Sequence, residues 1–133
     1  DYPFVARDEA NAAAEGVADR CTFQHGDAAK LDFPDNSFDA VVSNFVFHEV
    51  RTQKDKFMLV EEALRVLKKG GAFALHDTFG NRDMYGNMDE FVAYLKEHGI
   101  ADVSYLPNTE RNIPMPVPVR FMLRGIGMLY GTK

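Results

Sequence analysis

Cys21 is the only cysteine in the chain. An intrachain disulfide is therefore excluded, and a reducing, cytoplasmic setting is expected. No uncharged apolar run reaches the roughly 20 residues that a membrane-crossing helix needs. The most apolar tail segment, residues 117–130, is interrupted by Arg120 and Arg124, so no membrane partner is expected. Long basic runs are lacking as well; none exceeds Lys68-Lys69. With 15 Lys+Arg against 20 Asp+Glu and a net charge of -5, the chain lacks the basic face of a nucleic-acid platform. No charged-then-apolar leader opens these residues, so no signal peptide is expected. No Gly-x-Gly-x-x-Gly turn is visible either, the mark of a dinucleotide site.

What remains is enough for one domain. The 133 residues are 46% apolar and 26% charged, ordinary values for a globular protein with a real core. Residues 5–15 are alanine-rich and stop at Gly16, which predicts a helix. Residues 21–25 alternate and read as a short strand. Residues 38–44, "FDAVVSN", form a near-continuous apolar run, the pattern of a strand buried on both faces of a parallel sheet. Over residues 54–69, Phe57, Val60, Leu64 and Leu67 recur at spacings of three and four, one face of a helix that Gly70-Gly71 would end. Residues 72–78, "AFALHDT", predict another buried strand. Residues 88–98 predict a helix with Phe91, Val92 and Leu95 inward and Gly99 as its stop. Residues 100–106 read as a strand, 107–118 with four prolines as irregular, and 126–130 as the final strand. Residues 121–124 fit either a short helix or part of that strand.

Alternating strands and helices predict an α/β class, a doubly wound, mostly parallel sheet with helices on both faces. Ligands in such sheets sit beyond the carboxyl ends of the strands. The polar turn Gly26-Asp27-Ala28, the Ser43-Asn44-Phe45 end of an apolar strand, His48-Glu49, and His76-Asp77 all lie where that rule points.

"FQHGDAAKLDFPDNSFDAVVSNFVFHEV", followed by "ALRVLKKGGAFALHDTF", resembles the middle and later motifs of class I S-adenosylmethionine-dependent methyltransferases. "GMLYGTK" resembles the family's last strand, which runs antiparallel. The resemblance implies a Rossmann-like sheet and S-adenosylmethionine as cofactor. It also implies that residues 1–133 are the carboxyl-terminal portion of a single methyltransferase domain. The family's first two strands, its glycine-rich turn and the acid ending the second strand would lie upstream of Tyr2. "LKKGG" departs from the family's common Leu-Lys-Pro-Gly-Gly.

Residue by residue, the resemblance puts Asp27 on the adenine amine, with Ala28 leaving the ring room and Gly26 in the same cofactor-binding turn; the competing reading for Asp27 is a turn cap. Ser43, Asn44 and Phe45 would face the methionine part of the cofactor; the competing reading is a strand end that has simply reached water. His48 would take a proton from a small-molecule acceptor, or be a structural histidine. His76 and Asp77 are neighbours on a strand and point to opposite faces, so no metal site is expected. Tyr85, Met88 and residues 108–118 are expected to cover the pocket.

Two alternatives stand beside this reading: a nicotinamide-dependent oxidoreductase on a similar sheet, and a non-catalytic association module of the same fold. The missing first strand would leave Ala40-Val41-Val42 with an unpaired, apolar edge. Self-association through that edge, or completion by another chain, is therefore expected.

Overall fold

The structure, a computed structural model, describes residues 3–133. The elements run α1 (Pro3–Ala14), β1 (Phe38–Asn44), α2 (Lys56–Val66), β2 (Leu67–Asp77), α3 (Arg82–Tyr85), α4 (Met88–Glu97), β3 (Asp102–Pro107), α5 (Val117–Met122) and β4 (Gly127–Thr132). The sheet order is β1-β2-β4-β3. β1 pairs parallel with β2, while β4 runs antiparallel to both β2 and β3. Three strands thus share one direction and the last is reversed. The ends of β1 and β2 meet in register, with Ser43 opposite Leu75 and Asn44 opposite His76.

One face of the sheet carries the core. Leu59, Val60, Ala63 and Leu64 of α2 and Phe91 and Leu95 of α4 pack with Phe73, Leu75, Val103 and Leu129 from the strands. Phe57 stacks on Phe91 with ring centroids 3.8 Å apart, which locks the two helices together. The alternate residues of the strands, Ala40, Val42, Ala72 and Tyr130, are exposed on the opposite face. A second layer of helices does not cover them among the described residues.

Three expectations need correction. Residues 21–25 are not a strand; they are irregular and mostly exposed, because no neighbouring strand offers them a ladder. β1 occupies its predicted span but is not buried on both faces: among the described residues it pairs only with β2, and Val42 is 79% exposed. The glycine pair does not end α2. That helix stops at Val66, and Gly70-Gly71 lie inside β2. Phe38 pairs with Leu67 and Ala40 with Ala72, so Lys68–Gly71 form a bulge. The end of α2 is closed instead by Lys133, whose ammonium donates to the carbonyls of Leu64 at 2.8 Å and Leu67 at 2.7 Å. The Leu64 carbonyl also accepts from the Leu67 amide, so Lys133 adds a charged donor at a helix end, where carbonyls run short of partners. The helices expected to stop at Gly16 and Gly99 end just before them, and both glycines have positive φ.

Candidate functional site

The site is built at the carboxyl ends of β1 and β2. Along β2, Phe73, Leu75 and Asp77 share one parity, and all are buried. A carboxylate at the inward position of an apolar strand must be satisfied. Asp77, with none of its surface exposed, accepts from the backbone amides of Phe47 at 2.9 Å and Thr78 at 2.7 Å. The Nδ1 of His48 lies 2.8 Å from its Oδ1. A carboxylate here has only acceptors to offer, so Nδ1 carries the proton and Nε2 is left to accept one. Glu49, 70% exposed, places Oε1 at 3.3 Å from Nε2. Two acceptors facing each other do not bond, so this pair forms only after the ring has taken up a proton. Solvent keeps it weak.

His76, on the other parity, is half-buried on the open face. Its Nδ1 lies 2.9 Å from Asn44 Oδ1 and its Nε2 2.7 Å from Thr109 Oγ1. The expected split of His76 and Asp77 to opposite faces is therefore present. Phe45, between the two histidines, has φ +56, a conformation rarely adopted by a bulky residue. Its amide donates to the His76 carbonyl at 2.8 Å, and its ring meets His76 edge-on at 5.1 Å. Strain of this kind concentrates where a ligand is handled.

Asp27 is exposed, and its Oδ1 accepts from the Ala29 amide at 2.9 Å and loosely from the Thr52 hydroxyl at 3.4 Å. Thr52 follows His48 on the same connection, so Asp27 and the His48 loop lie at one end of the sheet. Gly26 is exposed, and Ala28 rests against the core. The segment that carries them is tied to α2. Glu62 accepts from the Leu31 amide at 2.7 Å and from Arg65, while Arg65 donates to the carbonyls of Phe33 and Leu31. Arg65 and the Leu31 amide hold the Glu62 carboxyl below its usual value against the opposing effect of burial.

Residues 1–75 match the family described as methyltransferase domain, more than half of the chain. The chain belongs to the class I S-adenosylmethionine-dependent methyltransferases. Among similar proteins, the methyltransferase YcgJ of Bacillus subtilis is 37% identical over 83 residues, 62% of this chain and 31% of that protein. A demethylmenaquinone methyltransferase of Listeria welshimeri is 31% identical over 116 residues, 80% of this chain and 48% of that protein. The chain thus spans about a third of the first relative and about half of the second. The structure of YcgJ matches with a TM-score of 0.60 at 19% identity, over 98% of this chain and 77% of that one. A methyltransferase from Aquifex aeolicus matches at 0.57 and 18%, over 98% and 63%. These two likenesses concern the fold.

For a methyltransferase domain, the donor set here suits part of the cofactor. The Asp27 carboxylate is exposed and only its Oδ1 is engaged among the described residues, so an acceptor remains for an exocyclic amine. Asn44 is different: its side-chain oxygen is already taken by His76, which leaves its backbone as the group a ligand can use. Tyr85 and Met88, expected to cover the pocket, are buried in the core, 1% and 5% exposed, although Met88 also lines a cavity with Phe79 and Tyr105. Within residues 108–118, Thr109 supports His76 instead of closing over it. Sequence reasoning overlooked Asp77 as the partner of His48. The signal was present in the parity of β2, where a charge shares the face of Phe73 and Leu75.

Proposed function

We propose that this chain takes part in methyl transfer from S-adenosylmethionine to a small-molecule acceptor. When bound, the cofactor supplies an activated methyl group, so no nucleophilic side chain is required. Asp27, with Gly26 and Ala28, would receive the adenine end, and Ser43, Asn44 and Phe45 the methionine end. His48 takes the acceptor's proton at Nε2, and Asp77 holds the ring in the tautomer that allows it. The observation that carries this reading is the 2.8 Å contact between His48 and the buried Asp77 at adjacent strand ends, in a chain of this family. Orientation and exclusion of water would supply most of the rate.

The chain reads as the carboxyl-terminal portion of the domain, with the rest of the cofactor cradle contributed from outside residues 1–133. Two observations support this: its relatives are longer, and among the described residues β1 is paired on one side only. A cytoplasmic setting accords with the single cysteine. The test is a thermal shift with S-adenosylhomocysteine, run on the 133-residue chain and on a chain extended by whatever is encoded before Asp1. A shift in the extended chain that shrinks in Asp27→Ala supports the reading. No shift in either chain overturns it.

A further inference from the structure

Beside His48 lies an open cleft of about 350 Å³, at the small end of the range for ligand sites. Arg51, Lys54, Lys56, Asn81 and Asp83 line it, with Val50 and Met84 as apolar wall. Three Lys/Arg thus face a single Asp, in a chain whose overall balance is 15 to 20 the other way. A local reversal of sign around a concavity concentrates ions of the opposite charge.

The three cations differ in what occupies them. Lys56 is 6% exposed, and its ammonium is satisfied by the carbonyls of Val50 and Gln53. Those bonds fix the backbone of residues 50–53 and leave the charge of Lys56 unneutralised beneath the cleft. Arg51 and Lys54 are exposed, and neither has an ion-pair partner among the described residues. Asn81 is already committed, capping the Asp83 amide at 3.1 Å. Glu49 stands at the His48 end, near Nε2, so an anion is repelled there and drawn towards Arg51 and Lys54.

We propose that this cleft binds a small oxyanion, a carboxylate or phosphate, carried by the methyl acceptor. With the anion held by Arg51 and Lys54, a hydroxyl or amine elsewhere on the same molecule is directed at His48. Calling the anion's carrier an acceptor rests on the function proposed above; the binding of the anion does not.

The test titrates the 133-residue chain with sodium acetate, inorganic phosphate and methylammonium chloride at fixed ionic strength, following backbone amides by NMR. Acetate or phosphate is expected to move the amides of residues 48–54 and 81–84 saturably, and methylammonium is not. In the Arg51→Gln, Lys54→Gln double variant the apparent Kd is expected to weaken by about tenfold or more, with an unchanged melting temperature. Each single variant should show a smaller loss in the same direction. Tighter phosphate assigns a phosphate-bearing acceptor, and tighter or equal acetate a carboxylate. No saturable movement, equal movement in the double variant, or saturation by methylammonium overturns the proposal. No cofactor enters this titration, so it and the S-adenosylhomocysteine shift can fail independently.

Discussion

Asp77 and His48 are joined twice. The imidazole Nδ1 lies 2.8 Å from Oδ1, and the His48 amide lies 3.4 Å from Oδ2. The same carboxylate receives the amides of Phe47 and Thr78. One side chain therefore ties the loop after β1 to the end of β2 and sets the ring's tautomer. Tyr85, buried alongside, has its phenol pushed up by burial and then by the charge of Asp77.

Asp77→Ala is expected to destabilise the chain by roughly 2–6 kcal/mol, since it strands the buried Phe47 amide and the part-buried Thr78 amide at about 1–3 kcal/mol each. A fall in melting temperature on the order of 10 °C follows for a chain of this size. The ring nitrogens of His48, read by 15N NMR, should lose their Nδ1-protonated preference in Asp77→Asn. A variant that melts like the parent and keeps that tautomer would remove Asp77 from its positioning role.

His48→Ala is expected to leave the fold in place, because the ring is 24% exposed and makes no backbone bond of its own. On the function proposed above, methyl transfer by the extended chain is expected to fall about 10²–10⁴-fold, the usual contribution of a general base. An unchanged rate would dispose of the base role and return His48 to a structural part.

The Glu62–Arg65 clip gives a pH dependence whose sign can be worked out. The folded carboxyl of Glu62 is held below its ordinary value by Arg65 and the Leu31 amide. A depressed acid stabilises above the unfolded value, and that stability is lost as pH falls through the folded one. Denaturant titrations of the parent at pH 7 and pH 3 should differ by more than those of Glu62→Gln. The difference is expected to be roughly 1–3 kcal/mol, the worth of hydrogen bonds to a charged group. Equal pH responses in the two proteins would show that the clip contributes nothing measurable.

Much of this fold was readable because its signals are local. The run at residues 38–44 set β1 to the residue, and the three-and-four spacing of Phe57, Val60, Leu64 and of Phe91, Val92, Leu95 marked two helices. Where sequence reading failed, a partner distant in the chain decided the outcome. Gly70-Gly71 looked like a helix stop, but the cap of α2 comes from Lys133 at the far end of the chain. Residues 21–25 alternate like a strand, yet a strand exists only where a neighbour supplies hydrogen bonds. His48 was legible as a candidate by type and position. Its tie to Asp77 reaches 29 residues along the chain and required the register of β1 against β2.

Gly80 makes the closest backbone approach near the cleft. A Cβ built there would lie 2.8 Å from the Cα of Gly125, while the Gly80 amide donates to the Gly125 carbonyl at 2.7 Å. Gly125 itself has φ +74. Gly80→Ala therefore forces the loop after β2 away from the loop before β4, at a cost of about 1–3 kcal/mol. Faster hydrogen exchange at residues 80–85 should accompany the loss of stability. Parent-like exchange and melting would mean that the two loops can separate freely.

The outer edge of β1 is the sharpest test of how this chain behaves alone. Among the described residues only β2 pairs with it, and Val42, Val46 and Phe38 are 79%, 45% and 38% exposed. Backbone groups along such an edge recruit other strands, and apolar neighbours strengthen the attraction. Sedimentation of the 133-residue chain is expected to show association that rises with concentration. Val42→Lys places a charge on the exposed face without touching the core, and should shift the distribution towards monomer with the melting temperature unchanged. A parent chain that is a monodisperse 15.0 kDa monomer and melts in one cooperative step would contradict this, because the edge would then need no partner.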